Sequence, residues 1–352
     1  MQISNVKVVT LMFMVSTVLI ILKKYLSIIS ANDMIQIVFF ANFLVLLFGV
    51  VISKYKISML LLALLFGITY IFSRNAEFLI IVLYLLLSKT IKVEKYCFYY
   101  FLINIIFFSI VLICNKFGFI HSSDIYYRLV DGMKENRNDY GFGNPNSVFV
   151  FMIPIFTYYI YRRFDCWNIL DTIFYISLNT LVYSLTLSRT GLLVNIIALI
   201  FIYLIKTKLR YSVKLGIRCL IFFTIIASVL IAYYGHDDVV LNYLLSNRPM
   251  YFWEYLSENF SYTSILGQPV ENDFNSLPLD NSYIPLLIYK GIIPVTFVVL
   301  FYFYGLKKVT KDSIYIISLY ILIYSIFENV LLNIEFNLSL FLIYSEIVKS
   351  KK

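Results

Sequence analysis

The chain has 352 residues, 61% of them apolar and only 14% charged, with a mean hydropathy of +0.84. A typical globular chain carries about 25% charged residues, so this composition cannot coat one or two soluble domains and excludes a soluble protein. The formal net charge of +9 therefore needs an explanation other than nucleic-acid binding.

The apolar residues come in repeated long runs, and a hydrocarbon core about 30 Å thick requires about 20 of them per helix, with every backbone group paired internally. The sequence predicts an all-α polytopic membrane protein, a single integral membrane domain over residues 1–352. In chain order the expected spans lie near Val8–Leu22, Met34–Ile52, Ile57–Phe72, Ala76–Ile91, Tyr96–Cys114 and Ser147–Tyr161. They continue near Asn168–Leu187, Gly191–Ile205, Leu215–Tyr234, Tyr283–Tyr304, Ser313–Phe327 and Ile334–Val348. The fourth and the last are short enough to re-enter rather than cross, which leaves about ten to twelve spans. The first stretch is followed by Lys23 and Lys24 without a small-residue cleavage site, and it reads as a retained helix rather than a signal peptide.

Basic residues set the orientation. With both termini in the cytoplasm, the inner loops hold 19 of the 29 Lys and Arg, including the cluster from Lys206 to Arg218, but only five of the 20 acidic residues. Lys54, Lys56, Lys351 and Lys352 belong to that inner set, whereas Lys23 and Lys24 fall outside and are its misfit. The positive charge thus reports topology. Of the four cysteines only Cys114 approaches the outer face, so no outer disulfide is expected. No Walker sequence, Rossmann glycine pattern or CxxC pair occurs, and two histidines offer little for zinc. His236-Asp237-Asp238 and Glu271-Asn272-Asp273 read as solvated loop charges; no metal and no cofactor are expected.

Two connections, residues 115–146 and 235–282, are too long for turns and lie outside in this scheme. The first ends in Arg137-Asn138-Asp139-Tyr140-Gly141-Phe142-Gly143-Asn144-Pro145-Asn146. The second holds Asn247-Arg248-Pro249 and closes on Leu279-Asp280-Asn281-Ser282-Tyr283. Between them Leu187-Ser188-Arg189-Thr190-Gly191 forms a short outer hairpin. Phe252, Trp253, Leu256 and Phe260 make an apolar stripe at helical spacing, which predicts a short helix lying on the membrane surface within the second loop.

At these segments, and over the span layout, the chain resembles the Wzy-type O-antigen and capsular polysaccharide polymerases and the related O-antigen ligases. The resemblance implies transfer of a polyprenyl-diphosphate-linked glycan onto the next lipid-linked oligosaccharide repeat, on the outer side of a bacterial inner or plasma membrane. It also implies outer-face arginines central to activity, and a flippase and a chain-length regulator as partners. Ligases of the group place a His before the Asn where this chain has Asp280, which favours polymerase over ligase.

The residues carry a chemistry of their own. A diphosphate at headgroup level suits the planar fork of arginine, which keeps its charge there, and Arg189, Arg248 and Arg137 reach that level. Each also has a structural reading: anchor of a hairpin, helix start before Pro249, and member of a solvated loop. A proton acceptor or orienting carboxylate is needed for the acceptor sugar, and Asp280 is the candidate, with Glu328 the weaker alternative and an N-terminal cap the competing role of Asp280. Asn144, Asn146 and Asn281 offer amides suited to sugar hydroxyls, the competing reading being an ordinary turn feeding a helix capped by Asn146. A lipid-oligosaccharide flippase is the reading from another class, and it should show paired halves with midplane charges. Here the distinctive residues gather on one face.

Overall fold

The computed structural model describes residues 2–53, 57–122, 127–130, 133–245, 247–259, 265–269 and 280–350. Lys54, Lys56, Phe260, Glu271, Asn272, Asp273, Leu279, Lys351 and Lys352 lie outside the described residues. The chain folds into α1 (Gln2–Leu26), α2 (Asn32–Ile52), α3 (Ile57–Ser73), α4 (Glu77–Leu87) and α5 (Val93–Lys116). After a hairpin of β1 (Tyr127–Val130) and β2 (Met133–Asn136) come α6 (Pro145–Arg163), α7 (Ile169–Thr186), α8 (Arg189–Leu204) and α9 (Arg210–Gly235). Two short helices follow, α10 (Val239–Leu244) and α11 (Arg248–Asn259), and then α12 (Tyr283–Pro285), α13 (Ile292–Lys307), α14 (Asp312–Phe327) and α15 (Leu338–Lys349).

Among the described residues five helices are long and apolar enough to cross a membrane: α1 from Val6, α2, α5, α7 and α9. Shorter apolar helices accompany them, namely α3 from Leu61, α4, α8, α13 and α14. Large apolar side chains stand exposed around the bundle, among them Val51 at 77%, Ile71 at 72% and Phe223 at 63%. Water would not tolerate so much uncovered apolar surface, and a bilayer does. The chain is a helical, membrane-embedded protein.

The centre of the bundle is α14, which packs on α6, α8, α9 and α15. Twelve of its 16 residues are buried, including Tyr315, Tyr320 and Tyr324. An element enclosed by protein on every side need not match the bilayer thickness by itself, which explains its shortness.

Polar contacts mark two ends of the bundle. At one end Arg210 and Lys214 bind Asp312, Arg163 binds Asp171, and Lys349 binds Glu346. The starts of α5, α7, α9 and α14 meet the finishes of α6 and α15 there. At the other end, the finishes of α7, α9 and α14 meet the starts of α6, α8 and α11 through Asn146, Ser188, Arg248 and Glu328.

Three elements differ from the sequence reading. The first long connection holds a short antiparallel hairpin beside the otherwise helical fold, Tyr127 opposite Asn136 and Val130 opposite Met133. The span expected over Tyr283–Tyr304 is interrupted: α12 passes into a π turn over Leu286–Lys290 and stops at Gly291, whose φ is +92°. Residues 265–268 press against this break, with Gln268 N–H donating to the Tyr289 carbonyl and Ile293 N–H to that of Ile265. A Cβ on Gly267 would stand 2.6 Å from the Tyr289 oxygen, so only glycine permits the approach. The third difference is the last span, which is helical only from Leu338; residues 328–337 fold as turns, and Asn337 caps α15 through Ser339 N–H.

Close helix contact predicts one stability effect. A Cβ on Gly191 would collide with the Phe149 ring where α8 meets α6. Gly191→Ala should cost about 1–3 kcal/mol by overpacking, read as a lower unfolding temperature of the purified protein in detergent. An unchanged transition would mean that α8 is free to shift.

Candidate functional site

The buried guanidinium of Arg248 is the anchor of the site. Asn247, in the left-handed region at φ 62°, turns the chain into α11, with Arg248 and Pro249 as its first residues. Asn242 holds this start: its amide donates to the carbonyls of Gly235, His236 and Asp238, and its side-chain oxygen accepts from Met250 N–H. The stripe on α11 then docks. Phe252, Tyr255 and Leu256 are buried against Ala232 of α9 and against Ile284 and Ile288. This corrects the expectation of a helix lying on the membrane surface: at spacing i, i+3, i+4 the apolar face covers protein, and α11 is thereby fixed rather than floating.

Two carboxylates meet Arg248. Its Nη2 lies 3.2 Å from Asp280 Oδ2 and 3.0 Å from Glu328 Oε1. The Arg248 side chain is 8% exposed, Glu328 12% and Asp280 34%, so Asp280 forms the open side of the trio. Arg248 Nε is buried without a hydrogen-bond partner among the described residues. A buried donor left unpaired costs about 1–3 kcal/mol, and a fork with one tine free is suited to an incoming oxygen anion. Burial, then the neighbouring Asp280 carboxylate, push the Glu328 carboxyl up to about 8, against the opposing pull of Arg248 and Arg137.

The segment 280–284 supplies the clamp behind this trio. Asn281, fully buried, spends its oxygen on the N–H groups of Tyr283 and Ile284 and its amide on Ser228 and the Ile326 carbonyl. Ser282 Oγ donates to the Glu328 carbonyl and accepts from Val330 and Leu331 N–H. Tyr283 OH donates to the Leu322 carbonyl. Asn281 thus lies behind the site with its polar groups consumed, and what it positions is the pair Asp280 and Glu328.

A second group adjoins from α6 and the α7–α8 hairpin. Asn144 is the N-cap of α6, accepting from Asn146 N–H at 2.9 Å with Pro145 in the first turn. This frees the Asn146 side chain, whose oxygen accepts from Arg137 Nη2 at 2.8 Å and from Ser188 Oγ at 2.9 Å. Arg137 Nε also donates to the Thr186 carbonyl. The Asn146 amide and the Arg137 charge both act on Glu328, joining the two groups. Leu187 at φ 53° makes the sharp turn that buries Ser188 and leaves Arg189 exposed at the start of α8. Arg189 has no hydrogen bond or ion pair among the described residues.

The fold therefore brings together Arg248, Asp280, Glu328, Arg137 and Asn146, and leaves Arg189 free at the same end. Asn144 and Asn281 serve as caps. Sequence reasoning has Glu328 as the weaker alternative to Asp280, on the signal of an acid at the end of an apolar run, and does not single out Asn242, Ser188 or Ser282, which hold the site together. His236 stacks on Trp253 at 4.5 Å between centroids and Asp238 caps α10, so neither turns toward a shared ligand. Among the described residues no group of three or more His, Cys, Asp or Glu is gathered as metal ligands. Comparison with protein-family models, curated proteins and solved structures gives no match to the chain.

Burial separates two arginines that the sequence treats alike. Arg248→Met strands two carboxylates and should destabilise by about 3–5 kcal/mol, whereas Arg189→Gln should leave thermal unfolding in detergent where it was. Equal transitions for the two variants would show that the Arg248 trio carries no structural strain when broken.

Proposed function

We propose that the protein is a metal-independent membrane glycosyltransferase, a polysaccharide polymerase. It transfers a glycan from polyprenyl diphosphate onto the next lipid-linked oligosaccharide repeat at the outer face of a bacterial inner or plasma membrane. On this reading the chain crosses ten to twelve times with both termini cytoplasmic, and the loops 115–146 and 235–282 face outward. The alternation of helices between two ends supports the span count, and the basic character of one end supports the orientation. Partners are the lipid-linked oligosaccharide, the bilayer, and a flippase with a chain-length regulator.

The observation that carries the reading is Arg248 Nε, buried and unpaired, in a cluster of guanidinium, carboxylate and amide groups at one end of the bundle. Arg248 and Arg137 bind the diphosphate oxygens, and Arg189 draws the leaving group from the surface. The acceptor hydroxyl attacks the anomeric carbon as the bond from that carbon to the diphosphate oxygen breaks. The electron pair leaves on the diphosphate, and the hydroxyl proton passes to Asp280, the carboxylate on the open side. Glu328 holds its proton at neutral pH and donates a hydrogen bond toward the phosphates.

Arg189→Lys and Arg248→Lys retain charge but not the bidentate fork, and long polymer should vanish from cells at normal protein levels. Wild-type polymer from both variants would leave these arginines as anchors. Asp280→Asn, assayed with purified enzyme and lipid-linked repeat, should turn over at least about 100-fold more slowly; near-normal turnover would exclude Asp280 as base.

The Glu328 proton gives a pH test. Being raised, it is bound below about 8 and lost above, so KM for the lipid-linked donor should rise with pH through that value. Glu328→Gln keeps a donor without titrating and should flatten the rise. A rise that persists in the Gln variant would assign the titration to another group.

A further inference from the structure

At the end of the bundle opposite the site, residues from three separate parts of the chain line one cavity of about 420 Å³. Val6 at the start of α1, the connection Ser88–Val93 between α4 and α5, and the last turns of α15 form its wall. Three lysines line it, Lys89, Lys92 and Lys349. Lys349 binds Glu346 at 2.7 Å, and that carboxylate is also engaged by the Thr310 hydroxyl at 2.7 Å, so it is held back in the fold. The side chains of Lys89 and Lys92 have no hydrogen bond or ion pair among the described residues. Among the described residues the Lys89 and Lys92 charges are thus unpaired, beside an apolar wall of Val6, Ile91 and Val348, while Glu346, and Glu94 at longer range, offset that of Lys349.

We infer that this cavity binds the phosphodiester headgroup of an anionic membrane lipid. Two features favour a lipid over a free anion. The wall is part apolar, as a glycerol backbone requires, and Val6 is itself 47% exposed on a helix that leaves further apolar side chains, Val8, Leu11 and Val15, uncovered for contact with acyl chains. Basic recesses between membrane helices recognise anionic headgroups by this combination of short-range charge and adjoining hydrocarbon. The inference needs only the membrane-embedded fold and stands apart from the glycosyl-transfer reading.

The full chain, reconstituted in nanodiscs of phosphatidylcholine with or without phosphatidylglycerol, provides the test. Native mass spectrometry should find phosphatidylglycerol retained by the wild type, and unfolding should shift to higher temperature with that lipid but not with millimolar inorganic phosphate in phosphatidylcholine. Lys89→Gln with Lys92→Gln should weaken retention about 25-fold, at about fivefold per lysine. Lys89→Arg with Lys92→Arg should restore it, and Lys208→Gln, an exposed loop lysine at the same end, should be without effect. Equal retention of the two lipids, undiminished retention by the double Gln variant, or an equal shift from inorganic phosphate would each overturn the inference.

Discussion

A buried arginine in a membrane protein constrains everything around it. Removing a guanidinium from water without partners is prohibitive, so the chain must deliver compensating anions to one point and hold them there. Arg248 receives the Asp280 carboxylate as its counter-charge and the Glu328 carboxyl as a second acceptor, from 32 and 80 residues away in sequence. The rest of the site follows from that demand. Asn242 fixes the turn that aims Arg248, Ser282 grips the backbone at Glu328, and Asn281 locks residues 280–284 onto α14 through the Ile326 carbonyl. None of these three can reach a substrate through groups already spent in the fold, yet loss of any would release a charge.

The interrupted helix serves the same end. A continuous span after Asp280 would leave no room for residues 265–268, which lie across Gly291 and bond to Tyr289. The π turn and the glycine open that space, and the second long connection is thereby tied down at its start by α11 on α9 and again at residues 265–268. A loop held at both places is a scaffold for charged residues, whereas an untethered one would pay conformational entropy at each binding event.

Legibility followed the length scale of the forces involved. Apolar runs reveal helices because burial in lipid acts on every residue of α1, α2, α5 and α9 at once. The basic asymmetry is likewise a sum over many side chains. The helix starts at Pro145 and Arg248 could be read locally, since Pro at the first or second helical position is a short-range signal, although the cap expected at Asn146 falls on Asn144. What stayed hidden was set by pairing across the fold. Nothing in the window around Glu328 announces Arg248, and no local rule tells Arg189, left exposed, from Arg137, which donates to Asn146 from 9 residues away. The break at Gly291 was equally silent, because its cause is a packed segment more than 20 residues upstream. Even the stripe on α11 showed the right face but not whether lipid or α9 would cover it.

Charge balance ties the pieces into one argument. With both carboxylates ionised, the trio would carry one positive and two negative charges and would repel a diphosphate. Burial instead keeps a proton on Glu328, since its carboxyl is raised to about 8, so at neutral pH the trio sums to zero and presents a hydroxyl as well as a guanidinium. An arriving phosphate adds negative charge beside Glu328 and favours its protonated form still more. By linkage the protonated form must then favour the phosphate by an equal free energy. On the proposed glycosyl-transfer reading, a leaving diphosphate would gain charge in the transition state and the same donors would gain most, which is the condition for catalysis rather than mere binding. The two carboxyl groups that look redundant in sequence are thus divided by a difference in exposure, 34% against 12%: the enclosed one is left holding a proton, and the open one is the group to which the proposed reading gives the acceptor's proton.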